Sequence, residues 1–175
     1  MNTIRKRKEE LQWFAVYTKP KAEQKVKERL SVAGFDTFLP MQTVVKQWSD
    51  RKKKTQVPFI NSYVFVKSTQ KNLAQIYPTA GVLTILKYLG NYAVVKNYEI
   101  ENLRILSTNS YSLTTVYKRP TGFAKGTKIT VSEGAFKGLY GNYLSNSGKD
   151  KVIIEMEALG SYVEVTLPIN SLQKV

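Results

Sequence analysis

The sequence predicts an α+β protein, with an N-terminal antiparallel-sheet α/β sandwich joined by a linker to a small all-β barrel. Three observations predict it. Residues 13 to 107 alternate short apolar strands with helix-spaced stripes in the order β-α-β-β-α-β-β-α. From Thr108 onward the periodicity is lost in a Ser- and Thr-rich stretch, and beyond Lys125 only strand patterns recur. The expected divisions are a basic flexible tail over 1–12, the sandwich over 13–107, a linker over 108–124 and the barrel over 125–175.

Composition narrows the chemistry. The chain has 175 residues, 42% of them hydrophobic, which is enough for a real core. It has neither Cys nor His, so disulfides, thiolate chemistry, imidazole bases and Ser-His triads are excluded. No carboxylate cluster, phosphate-cradling glycine loop or nucleophile-base pair occurs; isolated Asp50 and Glu133 read as surface charges. The expectation is a non-enzyme without cofactor or metal. The first twelve residues are basic, but no signal-like apolar run follows them, and no apolar stretch is long enough to span a bilayer. A soluble, cytoplasmic monomer with no membrane partner is expected.

The net charge is +14, which points to a polyanionic partner. Residues 1–120 hold 21 Lys and Arg against 8 Asp and Glu, a balance of +13, whereas residues 121–175 hold 6 against 5, a balance of +1. The two halves therefore have different electrostatic work.

Taken in order, the RKRK run near the start reads as a solvated tail. Trp13 to Tyr17 is a strand ending at Thr18-Lys19-Pro20, and Pro20 sits near the first turn of the following helix. Ala22, Val26, Leu30 and Ala33 form that helix's buried stripe, Glu23 and Lys27 an i,i+4 ion pair, and Gly34 the stop. Lys21, Lys25 and Arg29 occupy a different face. Phe38 to Val45 is a second strand, and Gln47 to Lys54 a loop with Arg51, Lys52, Lys53 and Lys54 at its tip, a contact site for phosphates.

Residues 63 to 67 form a strand that is apolar on both faces. Tyr63 and Phe65 point one way, Val64 and Val66 the other, as Trp13, Ala15 and Tyr17 oppose Phe14 and Val16. Paired, the two strands make one aliphatic face and one aromatic face. The aromatic face is expected to stay bare and to dock another protein. Next come a short helix with Leu73, Ile76 and Tyr77 inward, a hairpin turning at Gly90-Asn91, and a last helix capped by Asn97 with Ile100, Leu103 and Leu106 inward. Past the linker, five strands begin near Lys128, Gly141, Lys151, Tyr162 and Ser171, matching a small closed barrel.

Gly126 to Gly141 resembles the KOW motif, with Gly134 and Gly138 bending a loop around buried Phe136 and Gly141 permitting close approach in a strand. Trp13 to Tyr17, Lys19, Phe38 to Met41 and Pro58 to Val66 resemble the amino-terminal (NGN) domain of the NusG family of transcription elongation factors. Pro40-Met41 and Pro58 through Phe65 are also similar to its specialised RfaH-like branch. The resemblance implies an NGN-like domain followed by an SH3-like KOW barrel. The function it implies is elongation or antitermination, with pausing suppressed while the factor sits on the RNA polymerase clamp helices. The contact residues it implies are Tyr63, Phe65 and Ile85, to which adjacency adds Phe59 and Tyr17. It also implies contact with non-template DNA, with Lys19 and Arg29 at matching positions, and recruitment of Rho or a ribosomal protein by the barrel. By charge, the expected DNA contact at the upstream fork runs through Lys19, Lys25, Arg29 and Arg51 to Lys54. Asn61-Ser62 replaces the family's Pro-Gly, and Val32 and Ala33 stand where RfaH-like proteins have polar DNA-contacting residues. Val152 to Ile154 and Tyr162 to Thr166 are β-branched and aromatic, so the barrel is expected to hold no helical form. The alternative function is a ribosome-associated KOW-type RNA-binding protein.

Overall fold

The structure, a computed structural model, describes residues 10–47, 51–108, 114–116, 126–146, 149–156, 159–167 and 171–175. Most of the basic tail, residues 48–50 and most of the expected linker lie outside them. Along the chain come β1 (Gln12–Thr18), α1 (Glu23–Val32), β2 (Asp36–Phe38), β3 (Met41–Gln47), β4 (Lys52–Pro58) and β5 (Tyr63–Ser68). A 3-10 turn at Lys71–Gln75 leads to β6 (Val82–Ile85), β7 (Lys87–Tyr88), β8 (Asn91–Tyr92), β9 (Val94–Val95) and α2 (Asn97–Thr108). The remainder is β10 (Thr114–Val116), β11 (Lys128–Val131), β12 (Tyr140–Asn146), β13 (Lys149–Met156), β14 (Ser161–Thr166) and β15 (Leu172–Lys174). Contacts gather these into two compact units, Met1–Leu39 with Ser62–Val94, and Pro40–Asn61 with Val95–Val175.

The first unit is built on an antiparallel sheet of order β2-β5-β1-β6. Phe14, Val16, Val64 and Val66 are fully buried, as are Val26 and Leu30 of α1. Removing each such side chain from water contributes about 1.5–3 kcal/mol, so this layer holds the unit together. Helix α1 ends as its glycine foretells: Gly34 takes φ +89°, and Phe35 N–H donates to the Leu30 carbonyl in a Schellman closure. Gly81 (φ +100°) has a packing role as well, since a Cβ there would stand 2.8 Å from Val26 Cγ2. The hairpin turns one residue earlier than expected. Tyr88 pairs with Asn91, leaving Leu89 (φ +48°) and Gly90 (φ +82°) as the central residues of a type I′ turn.

In the second unit β3 and β4 form a two-stranded hairpin, paired from Met41↔Pro58 to Gln47↔Lys52. Lys52, Lys53 and Lys54 are thus strand residues, a correction to the expected loop tip. Charge runs resemble loops in sequence, but an exposed two-stranded ribbon leaves lysines hydrated on either face. Helix α2 starts with a capping contact, Lys96 N–H donating to Glu99 Oε2 at 2.7 Å. The cap therefore begins at Lys96, one residue before the expected Asn97. The C-terminal strands form one antiparallel sheet of order β10-β14-β13-β12-β11-β15. Val163 and Leu139 are fully buried, and Ile129, Val131, Ile154 and Val165 nearly so. Thr114–Val116, inside the expected linker, is the strand that pairs with β14.

Candidate docking face and nucleic-acid interface

Residues directly opposite in an antiparallel pair share a face. The register Trp13↔Lys67, Ala15↔Phe65 and Tyr17↔Tyr63, with Phe38↔Phe65 from β2, assembles the aromatic face as expected. Ile85 is not on it. It pairs with Val16, which pairs with Val64, so Ile85 belongs to the aliphatic face, where it is 1% exposed. The reason is a break in the β1–β6 ladder. Tyr17 faces Thr84 and Thr18 faces Val82, so Leu83 is skipped as the extra residue of a bulge. Exposed Thr84 and Leu83, not Ile85, flank Tyr17.

The aromatic face is not bare, which corrects the second expectation. Phe65 is fully buried and Trp13 is 5% exposed. The Phe38 ring lies 6.3 Å from that of Phe65, and the Lys67 ammonium sits 5.9 Å over the Trp13 ring. Phe59 is buried in the second unit, where its N–H donates to the Pro40 carbonyl. Accessible aromatic surface remains at Tyr17, 37% exposed, and at half-buried Tyr63. Their rings stand 5.3 Å apart and are tilted by 53°. Partial burial, and then the neighbouring Tyr17 phenol, push the Tyr63 pKa up, so its hydroxyl stays neutral and the pair remains a weakly polar contact surface.

A feature with no plain sequence signal fixes that pair in place. Ser62, standing where the resemblance expects Gly, adopts φ +63°. Its N–H donates to Glu23 Oε1 at 2.7 Å, and its carbonyl accepts from Thr18 N–H at 2.8 Å. Glu23 is 5% exposed, so it is turned into this turn and is not the surface partner of Lys27 that its spacing predicts. One carboxylate ties the first turn of α1 to the end of β1 and the start of β5, the two positions that present Tyr17 and Tyr63.

The basic residues form two groups. Lys19, Lys25 and Arg29 are exposed in the first unit, with Lys21 (φ +64°) beside them in sequence. Arg29 Nη1 donates to the Ala80 carbonyl, while Lys19 N–H donates to that of Gly81, so the loop at 80–81 orients both. Exposed Arg51, Lys52, Lys53 and Lys54 belong to the second unit.

In the KOW-like stretch, Gly134 (φ +81°) and Gly138 (φ +87°) bound a turn around Phe136, which is 8% exposed. Gly141 is buried in β12 opposite Ile129. A Cβ on Gly126 would collide with the Tyr143 carbonyl. Asn102 of α2, 2% exposed, donates from Nδ2 to the Tyr140 carbonyl at 2.8 Å and accepts from Tyr140 N–H at 3.0 Å. The Tyr98 and Tyr140 rings meet edge to face at 5.5 Å. Among the described residues no cluster of metal-ligating side chains occurs, and no helix is long and apolar enough to cross a membrane.

A family model described as NusG, transcription termination factor nusG, matches residues 11–104, more than half of the chain. Among solved structures, the chain is similar to one titled "Domain interaction in Thermotoga maritima NusG", at 20% identity over 95% of this chain and 98% of that one, with a TM-score of 0.52. It also aligns with MjSpt4:Spt5 complex conformation A, at 17% identity over 93% of this chain and 97% of that one, with a TM-score of 0.31.

Proposed function

The chain belongs to the NusG family of transcription factors, and from that premise we propose that it is an elongation or antitermination factor gripping the RNA polymerase clamp helices through its aromatic sheet face. The observation that carries this reading is the Tyr17–Tyr63 pair, partly exposed, with the backbone before Tyr63 held by Glu23. Fully burying an exposed side chain of this size contributes about 1.5–3 kcal/mol; with Tyr17 37% exposed and Tyr63 half-buried, covering what remains of the two supplies a fraction of the roughly 8 kcal/mol that micromolar affinity requires. Binding the closed clamp better than the open one would bias polymerase against pausing. Lys19, Lys25, Arg29 and Arg51 to Lys54 would follow upstream and non-template DNA by charge.

In this reading residues 13–107 are the NGN-like, polymerase-binding domain, and residues 125–175 a KOW-type SH3-like barrel. The barrel region's near-neutral balance suits contact with protein, such as Rho or a ribosomal protein. The protein would act in the cytoplasm, on transcribing polymerase.

Capture of purified polymerase by the immobilised full chain tests the reading. Wild type is expected to retain polymerase, and Tyr17→Ala plus Tyr63→Ala to lose it. Phe65 is unsuitable as a probe, because truncating a fully buried Phe costs about 3–5 kcal/mol of stability. Polymerase retained equally by the double variant, together with salt-sensitive capture of RNA, would move the protein to the ribosome-associated class.

A further inference from the structure

Strands β11 to β15 come from residues 128–174 and pair with one another, while β10 is laid on the edge of their sheet from outside that span. On its inner side β14 is paired along its whole length with β13, from Met156↔Ser161 to Lys151↔Thr166. On its outer side β10 supplies a shorter ladder of Thr114↔Glu164, Thr115↔Val163 and Val116↔Tyr162. Both strands belong to the same compact unit.

An edge strand presents N–H and C=O groups in alternation, a template for any extended segment that reaches it. Thr114, Thr115 and Val116 are all β-branched, and no charged residue occurs from Ile105 to Tyr117, so this stretch suits a strand wherever an edge is offered. Its hold is short. Three residues share few ladder hydrogen bonds, each of small net worth in water, and seating them closes a long loop of chain. Such a cover is exchangeable, in contrast with β13, whose loss would open the core around buried Val163 and Val165.

We propose that β10 is a displaceable cover, and that the β14 edge beneath it receives an extended segment of a partner protein by antiparallel strand addition. The occupant's chemistry follows from what already sits there: an uncharged segment rich in β-branched residues, bonding to β14 through its own main chain. A nucleic-acid backbone has no N–H groups to alternate with its acceptors, so it cannot complete the ladder. The near-neutral balance of residues 121–175 suits an uncharged occupant. A cover seated about nine-tenths of the time weakens the partner's apparent affinity about tenfold. The inference rests on the reading that the barrel region recruits protein, and adds to it the edge used and the segment that competes for that edge.

The probe is a fluorescent synthetic peptide with this chain's own residues 111–117, titrated into the full chain as wild type and as two variants. Thr115→Pro plus Val116→Pro loosens the cover: successive strand residues turn their N–H groups to opposite edges, so one of the two prolines removes a ladder donor. Thr114→Cys plus Glu164→Cys, at directly opposed positions of a chain that has no cysteine of its own, locks the cover when oxidised and frees it when reduced. The peptide is expected to bind the proline variant about tenfold more tightly than wild type, to miss the oxidised cysteine variant, and to bind it again on reduction. Equal binding to the oxidised and reduced forms, or no binding to the reduced form, refutes the edge, and this comparison stands even if the proline variant fails to fold. Capture of purified Rho by the same forms separates the edge from the recruitment reading. Rho held equally by the oxidised and reduced forms keeps recruitment for the barrel region and refutes this edge as its site. Rho held by none of them, with the peptide behaving as expected, removes Rho as the partner and supports the edge as the seat of another extended segment.

Discussion

Glu23 sits where a helix start and a strand start must be joined, and its carboxylate does the joining through Ser62 N–H. Removing one partner from a largely buried hydrogen bond leaves the other unsatisfied. Glu23→Ala is therefore expected to cost about 1–3 kcal/mol, read by denaturant titration of the full chain. An unchanged midpoint would show that the turn does not depend on the carboxylate. Ser62→Gly should shift stability the opposite way by about 0.5–1 kcal/mol, because a glycine pays little for the left-handed φ of +63°. Both changes touch the turn that precedes Tyr63, where Glu23 is buried and Ser62 half-buried. Any loss of polymerase binding they cause would report how strictly the Tyr17 and Tyr63 rings must be positioned, apart from the surface they offer.

At the scale of elements, α2 carries an interaction that periodicity does not reveal. Ile100, Leu103 and Leu106 were readable as its inner stripe, and each is 1% exposed. Asn102, a polar residue beside that stripe, is 2% exposed because the fold places Tyr140 against it. Its amide then acts like a peptide group, pairing with both the N–H and the carbonyl of one residue. Asn102→Ala should destabilise the second unit by about 1–3 kcal/mol and speed hydrogen exchange at the Tyr140 amide. Unaltered exchange there would contradict the two-bond clamp. The same contrast explains which parts of the fold were legible. Strands β1 and β5, Val26 and Leu30 in the stripe of α1 and the glycine turn around Phe136 follow from local pattern, whereas Ala33, expected in the same stripe, is the exposed C-cap. The facing of Ile85, the burial of Glu23 and the pairing of Thr114–Val116 depend on partners 39 to 69 residues away or on a bulge, and no local period encodes these. Burial of Phe65 is not legible for a similar reason, since a strand apolar on both faces does not declare whether its second face is covered.

Across the whole molecule, the apolar and charged contacts proposed here respond differently to salt. Coverage of Tyr17 and Tyr63 removes apolar surface from water, and that attraction is little weakened by added salt. Contact of Lys19, Lys25, Arg29 and the Arg51–Lys54 run with phosphates releases counterions, so it weakens steeply. With about four phosphates neutralised, log affinity for DNA should fall against log salt with a slope of roughly −3 to −4. Replacing Lys52, Lys53 and Lys54 by Gln should flatten that slope by about 2–3, whereas Tyr17→Ala plus Tyr63→Ala should leave it unchanged. Polymerase capture should show the reverse, surviving high salt but not loss of the tyrosines. The triple lysine variant is a fair probe because all three residues are exposed on β4 and fill no core position. A flat salt response in wild type would remove DNA from the list of partners. A full slope in the triple variant would instead move the phosphate contact from β4 to the cations around α1.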